Sequence, residues 1–222
     1  MWRMVLRKVA GALAGFGALL LGGGAALAHP HVWVTVRAEV VYAPDGRVSS
    51  IRHAWSFDEM YSTFLSQGLD KNGDGKFSRE ELSELAKINV ESLSDQNYYT
   101  VAKANGKPVA VAPPVDYWLE GDAKRLTLNF TLPLAAASAP KIFGLEVYDP
   151  SFFVAFAMEE GDAAMAVTGA PKGCATTLTR SKSPDAVAAG GSSSLSESFF
   201  QALGAGSNAG GQFANRLLVA CP

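Results

Sequence analysis

The clearest chemical pattern in this sequence is an acidic loop of twelve residues, 70–81. Six of its positions offer oxygen ligands at the spacing of an EF-hand calcium loop: Asp70, Asn72, Asp74, Lys76 through its carbonyl, Ser78 and Glu81. Ca²⁺ takes six or more oxygens, and so short a loop supplies them only if its sixth residue bends sharply and its last carboxylate binds through both oxygens. Gly75 and Glu81 stand at those positions. The loop therefore predicts a Ca²⁺ site.

The expected role of this ion is structural. The sequence contains one such loop, and only three of its ligands are carboxylates. Fewer charged ligands give a lower affinity for Ca²⁺, so we expect weak binding. The site would still be saturated outside the cell, where Ca²⁺ is millimolar. The alternative is an Asp- and Gly-rich turn that binds no metal.

The first 28 residues predict a cleaved signal peptide. A basic start is followed by an apolar run, then by small residues ending at Ala28. A transmembrane anchor is the alternative, but glycines at 22–24 break the apolar run. The mature chain is therefore expected to begin at His29 and to be periplasmic or otherwise exported, with no stable membrane insertion after cleavage.

Export also bears on the two cysteines. In an oxidising compartment Cys174 and Cys221 are expected to form a structural disulfide. A thiolate that binds metal or acts as a nucleophile is the alternative, but the pair lacks both a Cys-x-x-Cys spacing and a nearby histidine.

The new amino terminus could bind a transition metal. Cleavage would leave His29 with a free α-amine beside its imidazole, and His31 would point to the same face of a strand. Such nitrogen donors suit Ni²⁺, Co²⁺, Zn²⁺ or Cu²⁺. The alternative is an exposed terminus that merely contains two histidines.

Composition narrows the class of protein. The 222 residues are 48% hydrophobic and 18% charged, with a net charge of -2, which is typical of a globular chain and excludes wholesale disorder. No basic excess favours nucleic acid as a partner. Only three histidines are present, and no Gly-x-Ser-x-Gly motif accompanies them, so we expect no enzyme.

Alternating side chains predict the element that positions the histidines. Residues 31–42 and 48–57 form two strands joined by a turn at Asp45 and Gly46. With Asp45 and Gly46 at the tip, Ala38 pairs with His53 and the apolar faces coincide, whereas a shift by one residue would oppose the valines to polar positions. His53 is then expected in the core, away from His31.

The remaining pattern predicts an α+β fold. Helices are expected at 56–69, with Ser56 and Glu59 as a capping box, and at 78–93, capped by Ser78 and Glu81. Further strands are expected at 98–104, 108–111, 116–120, 125–132 and 141–148. An antiparallel sheet or sandwich over 29–180 would thus carry an EF-hand helix-loop-helix insert at about 56–95. Residues 181–222 would form a flexible loop and a tail held by the disulfide.

The order of four short segments resembles the DUF1007 family of exported bacterial proteins. The segments are 29–33 (HPHVW), 55–59 (WSFDE), the 70–81 loop and 148–153 (YDPSFF). The family is often labelled as a periplasmic component of ABC transport systems for nickel, cobalt or zinc. The resemblance implies a metal-handling accessory rather than an enzyme, with its metal motifs falling on His29, His31 and the acidic loop.

Three functional hypotheses follow from the sequence. The first is a periplasmic calcium-binding accessory protein that handles a transition metal for a membrane transporter. The second is a calcium-stabilised module that docks a partner without any transition metal. The third, a copper-dependent oxidase, is disfavoured because it would need another histidine beside His31, and His53 is expected to face away.

Overall fold

The computed structural model describes residues 30–161, 164–181 and 208–222. Nearly half of them form strands, and the strands in chain order are β1 (Val32–Tyr42), β2 (Val48–Phe57), β3 (Thr100–Ala104), β4 (Lys107–Val109), β5 (Val115–Asp122), β6 (Arg125–Ser138), β7 (Ile142–Val147), β8 (Val154–Met158), β9 (Met165–Thr168), β10 (Ala175–Thr179) and β11 (Asn215–Ala220). Two α-helices, α1 (Glu59–Leu65) and α2 (Arg79–Ser92), lie between β2 and β3. Short 3₁₀ turns cover Ser94–Tyr99 and Ala209–Phe213.

The strands form two sheets that share one apolar core. The first sheet has the order β5-β6-β2-β1-β8, with β9 also pairing with β1, and the second has the order β10-β11-β7-β3-β4. All pairs are antiparallel except those of β1 with β8 and with β9. Buried side chains of both sheets belong to one continuous cluster. The predicted α+β class with a sandwich of mainly antiparallel strands is therefore confirmed.

The β1–β2 hairpin has the predicted register. Val40 lies opposite Ile51, Val36 opposite Trp55, and Ala38 opposite His53. The valine face of β1 is buried, as the alternating pattern requires. His53 is only 3% exposed, so the prediction that it faces the core is confirmed.

The second helix follows its prediction more closely than the first. Ser78 caps α2 in a capping box with Glu81, whereas α1 is capped by Asp58 and not by Ser56. Ser56 is still part of β2, where its hydroxyl lies 2.8 Å from that of Thr127 on β6. The predicted start of α1 was therefore three residues too early, because sheet pairing takes the hydroxyl that would have capped the helix.

The apolar side chains of α1 are only partly buried. Tyr61 and Leu65 pack against the core, but Met60 and Phe64 are 68% and 67% exposed. With only seven residues, α1 presents too short a face to bury all four side chains.

The predicted carboxyl-terminal tail contains a central strand. β11 lies between β10 and β7, and it buries Leu217 and Val219. Cys174 and Cys221, which flank the paired β10 and β11, form the predicted disulfide. A disulfide of this kind persists outside the reducing cytoplasm, in agreement with export.

Several predictions fall on residues outside the described ranges. These are the signal peptide at 1–28, His29, and most of the predicted flexible loop, residues 182–207. Among the helices of the described residues, none has the length and apolarity needed to cross a bilayer.

Candidate functional sites

The acidic loop runs directly between the two helices and is folded around the side chain of its first residue. The Asp70 Oδ1 atom accepts hydrogen bonds from the amides of Gly73 at 2.8 Å and Asp74 at 3.2 Å. Its Oδ2 atom accepts from the Gly75 amide at 2.9 Å. Gly75 has a φ of 76°, which only glycine adopts without strain. The sharp bend predicted at Gly75 is thus present.

The last residue of the loop joins its two ends. The Glu81 Oε1 atom accepts a hydrogen bond from the Lys71 amide at 2.8 Å. Its Oε2 atom accepts from the amide and the hydroxyl of Ser78, at 2.8 and 2.9 Å. These bonds, those from Ser78 above all, lower the pKa of the Glu81 carboxyl to about 2. Glu81 is therefore ionised throughout the physiological pH range.

The middle of the loop is held by its own polar side chains. The Asn72 Oδ1 atom accepts from the Asp74 amide, and the Asp74 Oδ1 atom accepts from the Lys76 amide. Phe77, which follows them, packs against the core and anchors the loop.

The six predicted calcium ligands fit a hard cation by their chemistry, since all offer oxygen. As the side chains stand, however, the described part of the chain has no three His, Cys, Asp or Glu side chains grouped to hold a metal ion. The carboxylates of Asp70 and Glu81 are bonded to loop amides instead. The loop therefore has the donor set, and its carboxylates would have to turn toward an ion.

His31 lies on the surface immediately before β1. Its amide donates to the Phe153 carbonyl at 2.9 Å, and its ring centroid lies 4.6 Å from that of Phe153. His53 is buried in the core, so the structure keeps these two histidines apart, as predicted. His29 lies outside the described residues.

A turn at 149–153 positions the aromatic neighbour of His31. The buried Asp149 carboxylate accepts from the amides of Ser151 at 2.8 Å and Val154 at 2.9 Å. Phe152 has a positive φ of 58° and is buried against Phe213, while Phe153 is 45% exposed. Of the two phenylalanines in this turn, Phe153 therefore faces outward, beside His31.

Sequence reasoning missed a cavity of about 200 Å³ beneath this turn. Half of its lining residues are aromatic, and the others come mainly from β1 and the end of α2. The alternating pattern of β2 places Trp55 and Phe57 on its inner face. This was the one indication in the sequence that aromatic side chains would gather here. Tyr99 could not be placed in this way, because its backbone does not follow a regular pattern.

The fold and these sites define a two-sheet protein with an acidic loop between its helices and a histidine beside an aromatic turn. The chain belongs to the DUF1007 family, described as a protein of unknown function, whose model matches residues 15–221. The resemblance in the sequence is therefore confirmed. The chain is also similar to the "Uncharacterized 15.5 kDa protein in trpE 3'region" of Spirochaeta aurantia. The two are 30% identical over 106 residues, which are 47% of this chain and 76% of that protein.

Proposed function

We propose that this is an exported calcium-binding protein whose 70–81 loop holds a stabilising Ca²⁺. The observation that carries the proposal is the folding of the loop around Asp70, whose carboxylate accepts three backbone amides. This arrangement brings the oxygen-bearing residues of the loop around one bend. The carboxylates at the first, fifth and twelfth positions, together with the bend, are the ligands and geometry that a Ca²⁺ loop of this length uses.

Six residues of the loop would bind the Ca²⁺ ion. Asp70, Asp74 and Glu81 supply the negative charge, and Asn72, Ser78 and the Lys76 carbonyl complete an all-oxygen set. The ion would compensate the repulsion among the three carboxylates. Since Glu81 also caps α2, binding there would couple the ion to the stability of that helix.

Calcium is expected to raise the melting temperature of the processed protein. An ion bound only to the native state at about 100 times its Kd stabilises by about 2.7 kcal/mol. For a chain of this size that corresponds to a rise in Tm of roughly 5–10 °C. The measurement is differential scanning calorimetry in CaCl₂ and in chelator.

Glu81→Gln is the informative variant and Glu80→Gln its matched control. Glutamine retains the capping box but loses one charge and the paired carboxylate oxygens. Glu81→Gln should therefore lose most of the calcium-induced rise in Tm, and Glu80→Gln should keep it. Equal Tm values for the wild type with and without Ca²⁺ would refute the proposal.

A second candidate is the handling of Ni²⁺, Co²⁺, Zn²⁺ or Cu²⁺ for a membrane transporter. The observation that favours it is the exposure of the His31 side chain immediately before β1, close in sequence to the amine that signal cleavage would create. Imidazole and amine nitrogens are suitable ligands for these metals. The family label noted above gives the expected partner, a membrane metal transporter.

His31→Ala is expected to weaken Ni²⁺ and Zn²⁺ binding at least about tenfold while Tm changes little, because an exposed ring contributes little to the core. Isothermal titration of untagged protein beginning at His29 measures this. The wild-type sequence with an uncleaved or extended amino terminus is the control, and it should also bind weakly. Full metal affinity in His31→Ala would contradict the hypothesis.

A docking module with Ca²⁺ alone is the alternative function. It is favoured by the exposed apolar side chains of α1, Met60 and Phe64, directly before the acidic loop. Metal analysis separates the two candidates, since stoichiometric transition metal supports the first and calcium alone supports docking. A copper-dependent oxidase gains no support, because His53 is buried away from His31.

A further inference from the structure

The cavity found beneath the 149–153 turn lies at one end of the core, between the first sheet, the end of α2 and the Ser94–Tyr99 turn. Its walls include six aromatic rings: Trp55, Phe57, Tyr61, Tyr99, Phe153 and Phe156. They contact one another, with Trp55 and Phe156 centroids 5.0 Å apart and Tyr99 and Phe156 centroids 5.3 Å apart. Ligand pockets are typically apolar and aromatic with a few polar groups.

The backbone that brings Tyr99 to this cavity is strained. Asn97, Tyr98 and Tyr99 have consecutive φ values of 48°, 54° and 48°. Non-glycine residues in this region cost about 1–3 kcal/mol each and cluster at ligand clamps and other functional sites. This backbone conformation places Tyr98 in the core, beside Phe130. The Tyr99 ring then lies against the cavity.

The polar residues of the cavity wall are Asn89, Ser92, Tyr61 and Tyr99. The side chains of Asn89 and Ser92 donate to backbone carbonyls of α2. Neither the Tyr61 nor the Tyr99 hydroxyl has a hydrogen-bond partner among the described residues. Burial, together with the charge of Asp149, raises the pKa of Tyr99 to about 12. Burial and the charge of Asp58 raise that of Tyr61. Both hydroxyls are therefore protonated and can form a hydrogen bond to a ligand. The negative charges of Asp149 and Asp58 would repel an anionic ligand.

The size of the cavity limits what it can hold. A cavity of about 150 Å³ with apolar walls accommodates benzene, so about 200 Å³ leaves room for one ring and a small substituent. Aromatic walls favour a planar ring and also a cation, through their electron-rich faces. The nearby carboxylates of Asp58 and Asp149 add to the preference against negative charge.

We propose that this cavity is a binding site for a single-ring aromatic molecule that is neutral or cationic and carries one hydroxyl or amino group. The ring lies among the six aromatic side chains, and its polar group bonds the Tyr61 or Tyr99 hydroxyl. The site is separate from the acidic loop and does not depend on metal binding there.

Four probes of similar size test the charge and shape of the ligand: benzyl alcohol, benzylamine, benzoate and cyclohexylmethanol. Isothermal titration of the processed protein at pH 7 in CaCl₂ is expected to detect benzyl alcohol and benzylamine. Benzoate and cyclohexylmethanol should bind at least about tenfold more weakly. Absence of binding by the first two would overturn the proposal, as would equal affinity for benzoate.

Two variants locate the site. Val154→Phe places a ring into the cavity from β8 and should abolish binding. Val115→Phe makes the same change at an exposed position on β5, outside the cavity, and should not. Tyr99→Phe keeps the ring but removes a neutral hydrogen bond, so it should weaken benzyl alcohol about fivefold.

Tyr99→Phe tests the proposal independently, even if Val154→Phe fails to fold. An unchanged affinity of Tyr99→Phe and of Tyr61→Phe for benzyl alcohol would exclude the proposed role of the hydroxyls. Retained binding in a folded Val154→Phe would place the ligand elsewhere and refute the site.

Discussion

Lowering the pH from 6.5 to 4.5 is expected to remove about 2 kcal/mol of stability through one side chain, His53. His53 is 3% exposed, and burial lowers its pKa from 6.5 to about 3. In this pH window the unfolded chain binds a proton on this residue, while the folded chain does not. This contribution to stability is therefore complete well above pH 6.5 and begins to fall near pH 6.5. Between the two pKa values it is lost at about 1.4 kcal/mol per pH unit.

The surroundings of His53 hold the neutral ring. The Trp55 indole can only donate, and it donates to His53 Nδ1 at 3.3 Å. The ring proton is then on Nε2, which donates to the Thr100 hydroxyl at 3.2 Å. That hydroxyl in turn donates to the Tyr98 carbonyl at 2.8 Å. A proton on Nδ1 would face an indole N–H and break the chain of bonds that joins the two sheets.

Denaturant unfolding of the wild type and of His53→Gln between pH 4 and 8 tests this expectation. The carboxylates titrate in both proteins, so the difference between the two curves isolates the histidine. His53→Gln should be less stable at pH 7 and show a shallower loss of stability on acidification. Parallel curves for wild type and His53→Gln would contradict the assignment.

Loss of the disulfide is expected to lower the free energy of unfolding by about 4 kcal/mol, or Tm by roughly 8–16 °C. The bond joins cysteines 47 positions apart, so it removes much of the freedom of the unfolded chain. It also fixes the edge strand β10 to the central strand β11. Calorimetry of wild type with and without reductant measures the effect.

The double variant Cys174→Ser with Cys221→Ser is the control for the reductant. Its Tm should match that of the reduced wild type and should not change when reductant is added. A variant as stable as the oxidised wild type would show that sheet pairing alone holds β11. In that case the carboxyl-terminal strand would owe its position to Leu217 and Val219.

The sequence predicted best those features whose determinants lie close together in the chain. The β1–β2 register follows from two alternating patterns, which exclude a shift by one residue, together with the Asp45 and Gly46 turn, which fixes the tip. The Ser78 and Glu81 capping box likewise defined the start of α2. The order of oxygens in the acidic loop predicted the bend at Gly75, which the structure contains.

Features decided by distant contacts could not be obtained in this way. Ser56 matches a helix cap locally, but Thr127 on β6 holds it in a strand. β11 is too short and too far from β7 for its pattern to reveal their pairing. The strained backbone of Tyr99 has no glycine to indicate it, so the aromatic cavity depends on a conformation that propensity disfavours.

The parallel pairing of β1 bears on when the protein can fold. β1 follows the predicted cleavage site closely, yet two of its three partner strands, β8 and β9, come from the second half of the described chain. Pairs so distant in sequence form slowly, because a long loop must close first. The sheet around β1 therefore cannot be complete until most of the chain is available. In the proposed export, this delay would keep the chain unfolded while it crosses the membrane.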